Sequence, residues 1–273
     1  MLAPELALSD GLDVAVRVDI AALGAELGQA PAREFLLDAL SLGDSERATQ
    51  LLGRSLDRAA LLWFGLPMPR ASAASSVLVL RGHFSDLAEE ADWSRRDSGV
   101  EQLELDAGNP GYARVYRLPG DEQLLWAPSD ELPSVERAIA GSVAEAALRP
   151  PERGAVSIAA RPAGVLERAG ARYPELTEHF RGVRRIEAFA EPTAGMWRAD
   201  LTLDFDTATQ AADASAVLER LRQTLAERRC AIGVVARAVA VTRFERDVRV
   251  QTVLIGPELE AVKACVLGEG CCA

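Results

Sequence analysis

The chain has 273 residues, 49% of them hydrophobic, with 30 lysines and arginines against 41 aspartates and glutamates and a net charge of −11. That deficit of cations argues against a nucleic-acid surface, where phosphates are neutralised by a clustered positive face. No apolar run approaches the roughly 20 residues needed to cross a bilayer, and residues 1–13 carry neither the basic start nor the apolar stretch of a signal peptide, a start still compatible with a leader already removed.

In chain order, residues 14–20 (VAVRVDI) predict a strand, followed by a helical stretch rich in Ala, Leu and Gly. Residues 61–67 and 76–84 predict a hairpin joined by the loop from Pro67 to Ser76, a candidate binding lip. Ser85 or Asp86 is placed to cap a helix after it. A meander at 100–105, 113–118 and 123–127 follows, with a turn at Gly108-Asn109-Pro110-Gly111. The phrase ELPSVERAIAG, residues 131–141, then reads as a short amphipathic helix ending at a glycine.

Arg149-Pro150-Pro151-Glu152 excludes helix and marks a boundary. Beyond it the order starts again. A strand at 156–160 leads into a helical stretch at 164–167, and residues 186–192 and 197–205 form a second hairpin. Asp206 or Thr207 caps a helix with an apolar stripe of Val217, Leu218, Leu221 and Leu225 and a wet side of Glu219, Arg220, Arg222 and Gln223. Residues 232–242 and 247–255 read as strands. The phrase ELEAVKACVLG, residues 258–268, then echoes 131–141 at a constant offset: Glu131, Leu132, Val135, Ala138, Ile139 and Gly141 match Glu258, Leu259, Val262, Cys265, Val266 and Gly268.

The expected fold is therefore α+β: two tandem homologous repeats, each an antiparallel sheet covered by helices. The expected division is a tail at 1–12, a first repeat at 13–149, and a second at 150–273 with a cysteine-rich C-terminal tail.

Chemistry is sparse. The two histidines, His83 and His179, read as surface or boundary residues, and no nucleophile elbow, zinc-protease helix or phosphate loop is present. Asp200, Asp204 and Asp206 alternate along one strand, where a hard cation could sit, although a solvated strand face explains them more simply. Trp63, Trp93, Trp126 and Trp197 are expected in core or rim packing. No catalytic, cofactor-binding or metal-binding residue is assigned, and no cofactor is expected. Nearly all cations are arginine, with Lys263 the single lysine, a bias of GC-rich bacterial genomes.

The four cysteines, Cys230, Cys265, Cys271 and Cys272, all lie in the second half. An even count permits two disulfides. Adjacent cysteines rarely bond each other, so Cys271 and Cys272 would reach Cys230 and Cys265 and staple the tail. Free structural thiols and a thiolate metal site remain the alternatives.

The order of strand, helix, hairpin, helix, meander and closing Glu-Leu-x-x-Val helix resembles that of duplicated bacterial envelope proteins of uncharacterised function, lipoproteins and secreted domains among them. The resemblance implies a periplasmic or envelope setting, with the cytoplasm as alternative, and transfers no site residues. It leads to the expectation of a non-catalytic binding or scaffolding module whose partner is another envelope protein. The alternative is a carrier of a small apolar ligand or lipid, with an enzyme least favoured. A carrier is expected to hold a cavity lined by residues such as Leu61, Trp63, Val77 and Val79; a scaffold is expected to be packed shut there.

Overall fold

The computed structural model describes residues 12–40, 46–66, 77–88, 92–96, 98–105, 112–120, 122–142, 148–172, 174–193, 195–228, 230–256 and 258–261, together with residues 2, 4 and 8. The chain divides into two compact units, Met1–Arg149 and Pro150–Ala273. The expected loop at 67–76 and turn at 108–111 lie outside the described residues, as does the echoed phrase from Val262 onward.

In the first unit, β1 (Val14–Asp19) ends on a residue that also starts a helix. The Asp19 carboxylate accepts from the Ala22 N–H at 2.9 Å and caps α1 (Ile20–Leu27). Two helices absent from the predicted elements follow, α2 (Gln29–Leu40) and α3 (Glu46–Arg58). In α3 the buried residues Ala48, Leu51, Leu52, Ser55 and Leu56 recur at helical spacing. The buried Ser55 hydroxyl donates to the Leu51 carbonyl at 2.8 Å, which removes the penalty of an unpaired polar group.

β2 (Ala59–Leu66) and β3 (Leu78–Gly82) pair as the expected hairpin. The helix expected next is a single 3-10 turn, Ser85–Ala88. Its carbonyls are drawn into other bonds: Arg117 Nη1 donates to the Phe84 and Ser85 oxygens at 3.3 Å, and Trp93 Nε1 donates to the Leu87 oxygen at 3.0 Å.

The unit continues through β4 (Ser94–Arg95), β5 (Glu101–Glu104), β6 (Tyr112–Arg117), β7 (Gln123–Pro128) and α4 (Leu132–Ile139). Its strand order is β1-β2-β3-β7-β6-β5-β4, antiparallel at each step. Every residue of β7 is buried, so both faces of the sheet are covered there. One face carries Trp63, Val79, Tyr116 and Leu125 beneath Val135 and Ala138 of α4. Burying a valine such as Val135 contributes roughly 2 kcal/mol. α4 closes where expected: Gly141 has φ +71°, and the Ser142 N–H reaches back to the Arg137 carbonyl at 2.9 Å.

The N-terminal stretch takes part in this core. Leu8 and Leu12 are buried within it, and the buried Gln123 amide pairs with the Leu2 backbone, accepting from its N–H at 3.1 Å and donating to its carbonyl at 2.7 Å.

The second unit runs β8 (Val156–Ala160), α5 (Pro162–Arg172), α6 (Pro174–His179), β9 (Val183–Thr193), β10 (Met196–Phe205), α7 (Ala208–Ala226), α8 (Ala231–Ala238), β11 (Val239–Phe244) and β12 (Asp247–Leu254), with a helical turn at 258–261. Its strand order is β8-β9-β10-β12-β11, again antiparallel at each step. Of the two capping candidates it is Thr207 that opens α7, in a reciprocal capping box with Gln210. Ala211 and Ala214 then lay α7 onto Leu203, Phe205 and Val248.

The strand expected at 232–242 is a correction. Its first part is α8, and strand begins only at Val239. Ile232, Val235, Ala236 and Val239 recur at helical spacing, and that period prevails over the β-branched composition. Gly233 makes the turn back from α7 possible, since a Cβ there would lie 1.9 Å from the Arg228 carbonyl oxygen. Arg237 Nη1 fastens the return by donating to the Ala226 carbonyl at 2.7 Å. Among the described residues no helix is long and apolar enough to cross a membrane.

Candidate functional site

The consequence of α8 being a helix is a groove. Near its start α7 seats small alanines on the sheet, but further along its stripe changes to Leu218, Leu221 and Leu225. α8 returns beside it with Ile232 and Val235, and the two helices leave between them an open cavity of about 360 Å³. Val241 of β11 and its direct cross-strand partner Val250 of β12 contribute to its apolar wall. Leu221 and Ile232 keep 38% and 37% of their surface exposed, more than a helix stripe packed against a core retains.

Arg222 is the one charged side chain among the residues lining the groove. It was assigned to the wet side of the helix; here it stands at the rim, its side chain 25% exposed. Glu219 holds it from one turn away, accepting from Nε at 2.9 Å and from Nη2 at 2.5 Å. The Arg222 bond is the largest cause holding the Glu219 carboxyl below the usual carboxylate range.

The cavity anticipated around Leu61, Trp63, Val77 and Val79 is not where the apolar space lies. Trp63, Val77 and Val79 are 4% or less exposed within the packed core of the first unit, with Leu61 packed against them. Residues that fill a core at organic-crystal density leave no room for a guest.

The aspartates on β10 are engaged by basic and amide partners. Asp200 accepts from Gln251 Nε2 with Arg198 at 3.6 Å, Asp204 accepts from Arg184 Nη2 at 3.0 Å, and Asp206 lies 3.8 Å from Arg184 Nε. Among the described residues no group of three or more His, Cys, Asp or Glu could hold a metal ion. His83 and His179 are exposed. Trp126 is fully buried and meets Tyr112 edge-on at 5.7 Å; Trp93 and Trp197 are half-buried.

Cys230 is the N-cap residue of α8, at the end of the groove wall. Cys265, Cys271 and Cys272 lie outside the described residues.

A polar cluster in the first unit was not singled out from sequence. Glu136 on α4 accepts from Arg96 Nη2 at 2.9 Å, Arg114 Nη1 at 3.1 Å and the Tyr116 hydroxyl at 3.0 Å. The Arg96 bond first, with Tyr116 and Arg114 adding to it, holds the Glu136 carboxyl below its ordinary range. The cluster ties α4 to the sheet it covers. Only the position of Glu136 within the phrase ELPSVERAIAG hinted at it.

No protein-family model and no curated protein matches the chain. Solved structures do. Crystal form I of the protein TP0453 superposes with a TM-score of 0.55 at 10% sequence identity, over 97% of this chain and 98% of that one. Crystal form III gives 0.54 at 9% identity over 97% and 99%, and crystal form IV gives 0.55 at 10% over 96% and 96%. At such identity the likeness is one of fold, and it runs the length of both chains.

Proposed function

We propose that this protein is a non-catalytic binding module of the bacterial envelope, which takes an apolar ligand into the groove between α7 and α8. The observation that carries the reading is the groove itself: an open aliphatic cavity of about 360 Å³ with a single charge at its rim, within the size range of small-molecule sites. The packed core around Leu61, Trp63, Val77 and Val79 is the arrangement expected of a scaffold; what supports the carrier is the separate open groove of the second unit. The even cysteine count permits disulfides, which suit an oxidising compartment, and the resemblance to duplicated envelope proteins points the same way.

The reading includes descent from one duplicated domain. Matching β1, β2, β3, β7 and β6 of the first unit to β8, β9, β10, β12 and β11 of the second gives the same strand order in both units. The echoed Glu-Leu-x-x-Val phrase follows the matching strand each time. On this view α7 and α8 are the second copy's elaboration, standing where the first copy has a single 3-10 turn.

The test is titration of the native protein with the neutral probe N-phenyl-1-naphthylamine. Saturable, blue-shifted fluorescence that is lost in the double variant Leu221→Gln, Ile232→Gln is the expected result. Probe binding that is absent, or unchanged by the substitutions, sinks the proposal. A protein partner is the second reading, favoured by one observation: β11 is the edge strand of its sheet order, and Phe244 at its end is 70% exposed.

A further inference from the structure

We infer that the ligand of the groove is a free single-chain amphiphile with a carboxylate head, its chain between α7 and α8 and its head on Arg222. The inference rests on the groove being a ligand site, as proposed above. An apolar cavity by itself selects only for apolar surface, and a ligand wholly without charge has no use for a cation at the rim. Arg222 is the one charged side chain there, and a guanidinium is weakly hydrated and shaped to bind a carboxylate oxygen pair.

The donors of Arg222 suit an anion. Glu219 engages Nε and Nη2, and the two N–H groups of Nη1 are further donors. The Glu219 side chain is 39% exposed, so the pair is an exposed one of small net worth, and a second carboxylate can share or replace it cheaply. Gln223 Nε2 also donates to Glu219 Oε1, at 3.1 Å, which gives Glu219 somewhere to turn when the ligand head arrives. The aliphatic chain takes the rest: Leu221 and Ile232, already half in water, lose that exposure when it lies between them.

The geometry favours one chain over two. The groove is a single cleft between two helices, and a diacyl lipid would leave its second chain in water.

The experiment titrates the native protein with monomeric dodecanoate and with dodecanol, read by displacement of N-phenyl-1-naphthylamine. Dodecanoate is expected to bind about tenfold more tightly, the worth of one charge-assisted hydrogen bond. Arg222→Gln should abolish that preference while keeping dodecanol affinity. Glu219→Gln, which removes the competing carboxylate and needs no change at Arg222, should tighten dodecanoate alone. Equal affinities for the two, unmoved by either variant, overturn the inference and leave the groove as a general apolar site. Failure of both amphiphiles and the probe overturns the proposed function with it. Binding to anionic phospholipid vesicles but not to monomeric dodecanoate also overturns the inference, because it assigns Arg222 to a membrane surface.

Discussion

Gly233 of α8 abuts the backbone of Arg228 so closely that a Cβ on the glycine would lie 1.9 Å from the Arg228 carbonyl oxygen and 3.1 Å from that of Leu225. Both neighbours are backbone, so neither can swing aside. Gly233→Ala should therefore push α8 away from α7 and destabilise the second unit by about 1–3 kcal/mol, the usual cost of overpacking. Denaturant unfolding measures the loss, and weakened binding of an apolar probe by the folded variant would follow from the shifted wall. An unchanged unfolding midpoint would show that the turn is looser than its geometry states.

The groove residues should separate binding from stability. Leu221 and Ile232 are each more than a third exposed, so replacing them with glutamine should change stability by no more than about 0.5 kcal/mol. Loss of probe affinity at an unchanged melting temperature is the expected pair of readings. A fall of several degrees would place these side chains in the core instead.

Glu136 gives the first unit a pH dependence. Its carboxyl is held below its ordinary value by Arg96, Tyr116 and Arg114, so its stabilisation is present above the unfolded carboxylate pKa and lost as pH falls through the lower folded value. The side chain is 41% exposed, and solvent screening keeps the contribution to about 1 kcal/mol or less. Glu136→Gln should lower the melting temperature slightly at pH 7, and the difference from the native protein should close below about pH 4. A difference that persists into acid would assign the effect to packing.

Cysteine chemistry is settled by counting thiols. Protein from its native host, unfolded without reductant, is expected to show no reactive thiol, because the four cysteines permit two disulfides. Peptide mapping should find Cys230 and Cys265 joined to Cys271 and Cys272. Two reactive thiols would reduce the framework to a single bond, and four would place the protein in a reducing compartment.

Several elements were open to reading because each carries its signal within a few residues. β1 sets a valine at every second residue, Val14, Val16 and Val18, and ends on its own helix cap, Asp19. α7 begins at Thr207 with Gln210 three residues on, a local exchange of hydrogen bonds that any long chain would use in the same way. α4 stops at Gly141 because a left-handed residue there needs no Cβ. α3 was equally legible, with its stripe from Ala48 to Leu56, yet it lies in a stretch that the second half does not repeat and was passed over.

By itself, then, the sequence determined the α+β character, the strands that open each unit, the hairpins, the end of α4 and the start of α7. These depend on local backbone preference and on hydrophobic period, both of which act within one or two turns or strands. Only the tertiary structure decided that residues 231–238 are helix, that Ser85–Ala88 is a 3-10 turn, and that an open apolar groove lies between α7 and α8 while the residues around Trp63 are packed shut. For the helix and the groove the deciding partner is in another element or beyond a turn: the Arg228 carbonyl against Gly233, and the valines of β11 and β12 below the leucines of α7. A linear pattern records what a residue prefers; where leftover apolar surface collects depends on which elements the folded chain sets side by side.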